Sequence, residues 1–213
     1  MGRRIADGTR LTARRCGILG GTFDPIHYAH LAIAEQAREQ LDLEKVLFVP
    51  AAEPVHKSAT AVIAAEHRLA MVELAVADNP NFMLSRIEVE RGGPSYSVDT
   101  LEQLAGEGHG RGYVFIMSAE AARALPEWRS PKRILELAEV CIVPRLGYAP
   151  PDRNWLAEQF PGQAKRFIFV DVPSLGHSAS DIRARVGNGR SIRYLVPPPV
   201  EDYIVQHGLY LSQ

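Results

Sequence analysis

The sequence predicts an α/β fold, a doubly wound parallel sheet with helices on both faces. Three observations lead there. Stretches of strand and helix character alternate from end to end, which selects parallel pairing through right-handed crossovers. Two of the strand-like stretches, Lys45–Pro50 (KVLFVP) and Tyr113–Met117 (YVFIM), are continuously apolar, as strands covered on both faces are. The first strand ends in two glycines just before a helix, and open α/β sheets bind ligands at such strand ends.

The elements follow in order. Cys16–Gly21 reads as a short buried strand. From Tyr28 to Leu41 a helix is expected, because Leu31, Ala34, Ala37 and Leu41 recur at three- and four-residue steps with Glu35, Arg38 and Glu39 on the wet side. Lys45–Pro50 is the next strand. Ala64–Val76 is a second helix, with His67 and Arg68 on its exposed face. Phe82–Val89 reads as strand, Ser97–Leu104 as helix and Tyr113–Met117 as strand. Pro131–Leu137 is helical, and Val140–Val143 and Arg166–Val170 are strands. Ser180–Val186 and Val200–Gln206 close the chain as helices, the second entered through Pro197, Pro198 and Pro199. Arg145–Pro161, rich in proline, is the expected long surface excursion.

Composition bounds the rest. The 213 residues carry 24 Lys+Arg against 25 Asp+Glu, a net charge of -1. That balance lacks the basic footprint of a duplex nucleic-acid binder, so no nucleic-acid partner is expected. The apolar share of 46% and charged share of 23% are those of a globular chain. No run of 18 apolar residues occurs, so no membrane span is expected. Residues 1–15 hold Arg3, Arg4, Arg10, Arg14 and Arg15 without the apolar segment of a secretory signal, and read as a flexible basic arm. Cys16 and Cys141 lie far apart inside apolar runs, which fits reduced thiols and a cytoplasmic setting. With no repeat and no Ser/Gly linker, residues 16–213 read as a single domain whose part 171–213 is a small helical subdomain. Oligomeric state stays open, a homo-oligomer included.

Two constellations point to phosphate chemistry. The first, Gly20-Gly21-Thr22-Phe23-Asp24-Pro25-Ile26-His27-Tyr28-Ala29-His30, leaves the first strand and enters the first helix. Gly20 and Gly21 allow a close backbone approach, and a helix N-terminus offers N–H groups and a positive dipole end to an anion. His27 and His30, three residues apart, project to one side and can donate to phosphate oxygens. The second, His177-Ser178-Ala179-Ser180-Asp181-Ile182-Arg183, is another helix start. There Ser178 or Ser180 can cap or donate, and Arg183 can grip phosphate oxygens. The dinucleotide G-x-G-x-x-G, the P-loop and zinc spacings are absent.

Together these segments make the chain similar to the bacterial nicotinate mononucleotide adenylyltransferases. GGTFDPIHYAHL resembles the family's GGTFDPIHxGHL, and HSASDIR resembles ISSTxIR. The likeness runs from about Cys16 to the end and includes PVHK (Pro54–Lys57), SYSVDTL (Ser95–Leu101), LPEW (Leu125–Trp128) and the closing GLY (Gly208–Tyr210). The resemblance implies a Rossmann-like nucleotidyltransferase fold over 16–213. It also implies transfer of the adenylyl group of ATP to nicotinate mononucleotide with Mg²⁺, giving deamido-NAD and pyrophosphate. Carried over by position, His27 and His30 would act on the α-phosphorus. Gly20, Gly21, Thr22, Phe23, Lys57 (with His56), Ser178, Ser180 and Arg183 would hold phosphates. Thr100 and Trp128 would line the acceptor pocket, and Ser118 and Glu120 would face the adenosine side. The loop 51–63 is the lid expected over the site. Ala29 replaces a family glycine, Ser118-Ala119-Glu120 replaces Gly-x-Asp, and Ser180 replaces threonine. The first two departures bear on adenosine binding. They keep open another phosphorylated acceptor, such as nicotinamide mononucleotide or phosphopantetheine, and a nucleotide-binding sensor without catalysis.

Overall fold

The computed structural model describes residues 15–55, 62–107, 112–172, 176 and 178–211. Lys57, His56 and His177, like residues 1–14 of the expected arm, lie outside the described residues, whereas Arg15, the last residue of that arm, opens the first strand of the sheet. The frame is a six-stranded parallel sheet. Its strands are β1 (Arg15–Gly21), β2 (Lys45–Pro50), β4 (Phe82–Leu84), β6 (Gly112–Ser118), β7 (Ala138–Val143) and β8 (Phe167–Phe169), ordered β4-β2-β1-β6-β7-β8. The chain winds outward from β1 through β2 and β4, then returns to the other side of β1 and winds out through β6, β7 and β8. The order therefore reverses between β1 and β6.

Alternate residues serve opposite faces of this sheet, which explains the continuous apolar runs. Leu19, Val114 and Ile116 join one core cluster, whereas Ile18, Tyr113, Phe115 and Met117 join the other. The first cluster packs the sheet against α1 (Tyr28–Gln40), α2 (Ala65–Val76), α8 (Ala179–Gly187) and α9 (Pro198–Gln206) through Ala34, Met71, Val72, Ile182 and Ile204. The second packs it against α4 (Ser97–Gly106), α6 (Pro131–Leu137) and α7 (Arg153–Gln159) through Leu101, Leu135 and Leu156. Gly17 lets β1 sit in the middle, since a Cβ there would come within 3.0–3.2 Å of Leu43, Ile116 and Val46.

Several elements depart from the sequence reading. Only Phe82–Leu84 of the expected strand Phe82–Val89 stays in the sheet. Ser85 N–H donates to the Phe48 carbonyl at 2.9 Å, and the chain then turns into α3 (Ile87–Arg91), where Ile87 is buried in the second cluster. Two short strands, β3 (Glu53–Pro54) and β5 (Pro94–Ser95), pair in parallel, and α5 (Ala119–Ala124) follows β6 directly. The excursion Arg145–Pro161 contains α7, capped where Asp152 accepts from Trp155 N–H at 2.9 Å. Arg68 is buried, 1% exposed, and not on an outer face. Among the described residues no helix is long and apolar enough to cross a membrane.

Candidate active site

The switch point is physically open. β1 pairs with β2 as far as Gly21 opposite Pro50, but with β6 only as far as Ile18 opposite Phe115. β6 itself stays paired with β7 to Ser118 opposite Val143. The two central strands thus part over their last residues, leaving Gly20 and Gly21 on one lip and Met117 and Ser118 on the other. Ligands in open α/β sheets occupy such a crevice. A Cβ on Gly21 would meet the Phe23 ring at 3.1–3.3 Å. Phe23 itself is left-handed, φ +50°, a strained conformation for a bulky residue. It is held there because its ring is 2% exposed, near Phe48 and edge-on to His30 at 5.1 Å.

This loop delivers the chain to α1. His27 is the N-cap, in extended backbone, and its N–H donates to His30 Nδ1 at 3.3 Å. Nδ1 of His30 is therefore the acceptor nitrogen, and the proton of the neutral ring sits on Nε2. The two imidazoles stack with centroids 3.8 Å apart and planes 25° off parallel. The first turn of α1 carries no acidic side chain, so its dipole end keeps its positive potential.

The loop is anchored through Arg183 and through three residues to which the sequence reading gave no such role, Asp24, Tyr210 and Arg68. Asp24, 2% exposed, accepts from the Tyr210 hydroxyl at 2.7 Å through Oδ1. Arg183 Nη1 donates to the Asp24 carbonyl at 2.7 Å and lies 3.8 Å from its Oδ2, so α8 is locked onto the loop. Burial and the Asp24 carboxylate push the Tyr210 hydroxyl well above its ordinary pKa. From the other side, Arg68 donates to the carbonyls of Thr22 (3.0 Å), Ala51 (2.6 Å), Ala52 (3.0 Å) and Ile63 (3.1 Å). Burial pulls its pKa down, and Asp24 opposes that. The signal was present in α2, because Arg68 shares the stripe of Met71, Val72 and Ala75 at i+3, i+4 and i+7.

Ser178 caps α8 by accepting from Asp181 N–H at 3.2 Å, and Ser180 Oγ accepts from Arg183 Nη2 at 3.3 Å. Each hydroxyl keeps its own proton to donate. Ser178, Ser180 and Arg183 are thus brought to the glycine-rich loop through Asp24.

The expected acceptor residues separate. Trp128, half-buried, lines a cavity of about 280 Å³ with Tyr96, Ser95, Ser97, Val55 and Arg129. Phe115 links that cavity to the loop: its ring meets Trp128 edge-on, centroids 6.3 Å apart, and lies 3.7 Å from where a Gly20 Cβ would stand. Thr100 is not among the lining residues. It is 2% exposed, donates to Glu88 Oε1 at 2.6 Å and accepts from Arg91 at 3.1 Å. Ser118 at the end of β6 caps α5, accepting from Ala121 N–H at 3.2 Å. Glu120 pairs with Arg145 at 3.0 Å, and Ala29 is 7% exposed in the first turn of α1. Among the described residues no cluster of three or more His, Cys, Asp and Glu could hold a metal ion.

Known proteins are similar to this chain in sequence and in fold. The cytidylyltransferase-like family model matches residues 18–185. The "probable nicotinate-nucleotide adenylyltransferase" of Roseiflexus sp. (strain RS-1) is 50% identical over 194 residues, covering 91% of this chain and 96% of the relative. Its namesake from Thermomicrobium roseum is 46% identical over 196 residues, covering 92% and 91%. The Plasmodium falciparum nicotinic acid mononucleotide adenylyltransferase complexed with NaAD superposes with a TM-score of 0.76 at 19% identity, covering 92% of this chain and 97% of that one, which establishes a common fold. On the sequence matches, the chain belongs to the cytidylyltransferase-like family, in its nicotinate-nucleotide adenylyltransferase branch.

Proposed function

We propose that this protein transfers the adenylyl group of ATP to nicotinate mononucleotide, releasing pyrophosphate and forming deamido-NAD. The observation that carries the reading is the parted β1/β6 crevice with a glycine-rich lip, a helix N-terminus and an oriented imidazole pair at one end. Membership of the nicotinate-nucleotide adenylyltransferase branch supports the same acceptor.

The chemistry follows from the donors. An oxygen of the acceptor's phosphate attacks the α-phosphorus of ATP in line, a P–O bond forms, and the bond to the β-phosphate oxygen breaks. That nucleophile is largely ionised at neutral pH, since its second pKa is about 6, and needs no general base. What the site must supply is stabilisation of oxygens that gain charge. His30 Nε2–H and His27 donate to the α-phosphate, while the first N–H groups of α1 and the backbone of Gly20–Phe23 face the chain of phosphates. Ser178, Ser180 and Arg183, with Lys57, hold the leaving pyrophosphate, and the Ser118 and Glu120 side of the crevice takes the adenosine. Asp24, the carboxylate on the loop, is occupied by Tyr210 and Arg183 and is poorly placed to ligate a metal. Mg²⁺ would arrive with the triphosphate and would neutralise part of its charge.

The pyridine ring lies against Trp128 and Tyr96, where backbone N–H groups near Ser97 donate to a carboxylate and oppose an amide's own N–H donors. Thr100 acts behind this wall, fixing α4 through Glu88. The chain works as one nucleotidyltransferase domain over 16–213, in the cytoplasm, where the buried thiols of Cys16 and Cys141 stay reduced. Mass identification of the product made from ATP and nicotinate mononucleotide, with pyrophosphate measured in parallel, tests the proposal. Deamido-NAD in equal amount to pyrophosphate is expected. ATP binding without pyrophosphate release would overturn it.

A further inference from the structure

We infer that Arg129 determines the preference of the acceptor pocket for an anionic ring substituent. The inference rests on the acceptor reading above and names the side chain that enforces it. Arg129 follows Trp128 directly and lines the same cavity. Its backbone is fixed from both ends: Trp128 is extended, and Ser130 is left-handed at φ +49° before Pro131 opens α6. Its side chain is fixed at two points. The guanidinium carbon stands 4.8 Å from the centroid of the Tyr96 ring, and Nη1 lies 3.3 Å from Asp99 Oδ2 in the first turn of α4.

Charge decides what this does. Of the residues lining the cavity, Arg129 is the cation and Glu127 the anion, with Asp99 beside them. Without Arg129 a carboxylate entering the pocket would meet two carboxylates and no countercharge. With it, the planar fork stacked on Tyr96 keeps donors beyond the Asp99 contact, in the geometry that matches a carboxylate. A neutral amide gains little from the cation and could donate to Glu127. Arg129 therefore favours the acid and disfavours the amide through one side chain, whereas the flat face of Trp128 serves both.

The test is steady-state kinetics of the full chain with nicotinate and nicotinamide mononucleotide, for wild type, Arg129→Gln, Arg129→Lys and Asp99→Asn. The Arg129 side chain is 57% exposed, so these variants keep the fold, which unchanged thermal unfolding will verify. Arg129→Gln is expected to raise KM for the acid about five- to tenfold, the scale of losing one partly screened charge contact, with kcat nearly unchanged. KM for the amide stays level or falls. Lysine restores part of the acid preference, and Asp99→Asn strengthens it. Added salt weakens the acid preference of wild type and not that of Arg129→Gln. An acid-to-amide ratio unchanged in Arg129→Gln, with wild type preferring the acid, would overturn the assignment alone. A wild type that used neither acceptor would overturn the acceptor reading and this assignment with it.

Discussion

The two ends of the crevice are built differently. The phosphate end is built around one contiguous segment, Gly20–His30, joined by the start of α8 through Arg183 and held from behind by buried Arg68 and half-buried Tyr210, which grips Asp24 within the segment. The acceptor end comes from three separated segments: the β3 end at Val55, the β5–α4 junction at Ser95–Ser97, and Glu127–Ile134. Its polar groups at the rim are exposed and screened. On the proposed function, the phosphate chemistry therefore rests mainly on a sequence-local loop, whereas choice of acceptor rests on a tertiary assembly whose parts can change singly.

Breaking the cradle should cost most. Arg68→Met leaves the carbonyls of Thr22, Ala51, Ala52 and Ile63 without their donor, and should lower unfolding free energy by about 3–5 kcal/mol in urea melts. On the proposed mechanism, His30→Ala removes a donor whose contact strengthens in the transition state. It should lower kcat roughly 10²–10³-fold while stability changes little. Tyr210→Phe leaves the buried Asp24 carboxylate short of one partner, a loss of about 1.5–3 kcal/mol at neutral pH. Tyr210 also gives a sign to the alkaline limb. Its folded pKa lies above the ordinary 10, so the native state keeps a proton that the unfolded state releases. Stability from this group is therefore full below about pH 10 and falls as pH rises past it. The Cys141 thiol, pushed by burial from 9 to about 12, acts in the same direction between those values. Unfolding curves of Cys141→Ala should be flatter there than those of wild type.

At the acceptor end the effects are smaller and fall on KM. Trp128→Ala should raise acceptor KM about tenfold, with acid and amide affected alike, because a ring face does not distinguish them. A loss confined to one acceptor would show that Trp128 reads the substituent as well as the ring.

The same contrast sets what the sequence disclosed. The strand–glycine–helix passage was legible because its period changes from two to 3.6 within a few residues, and its loop residues each have a conformational reason. Continuous apolar runs located β2 and β6 for the same reason that they are buried: both faces of the sheet are covered. The β3/β5 pair was not legible, since two-residue strands carry no periodicity. Phe82–Val89 misled because Phe82 and Leu84 alternate as strand residues while Ile87 is buried from a helix. Thr100 looked like a ligand on its motif, and only tertiary packing shows its hydroxyl committed to Glu88. Arg68 looked solvated because arginine usually is, although its place on the apolar stripe of α2 marked it as buried.

If phosphate chemistry and acceptor choice are separately housed, mutation should move them separately. The most direct measurement is kcat and KM of His30→Ala with nicotinate and nicotinamide mononucleotide side by side, against wild type. kcat should fall by the same large factor with both acceptors, and the acid-to-amide ratio of kcat/KM should stay at its wild-type value. A fall confined to one acceptor, or a ratio that moves with the loss of the imidazole, would contradict that separation.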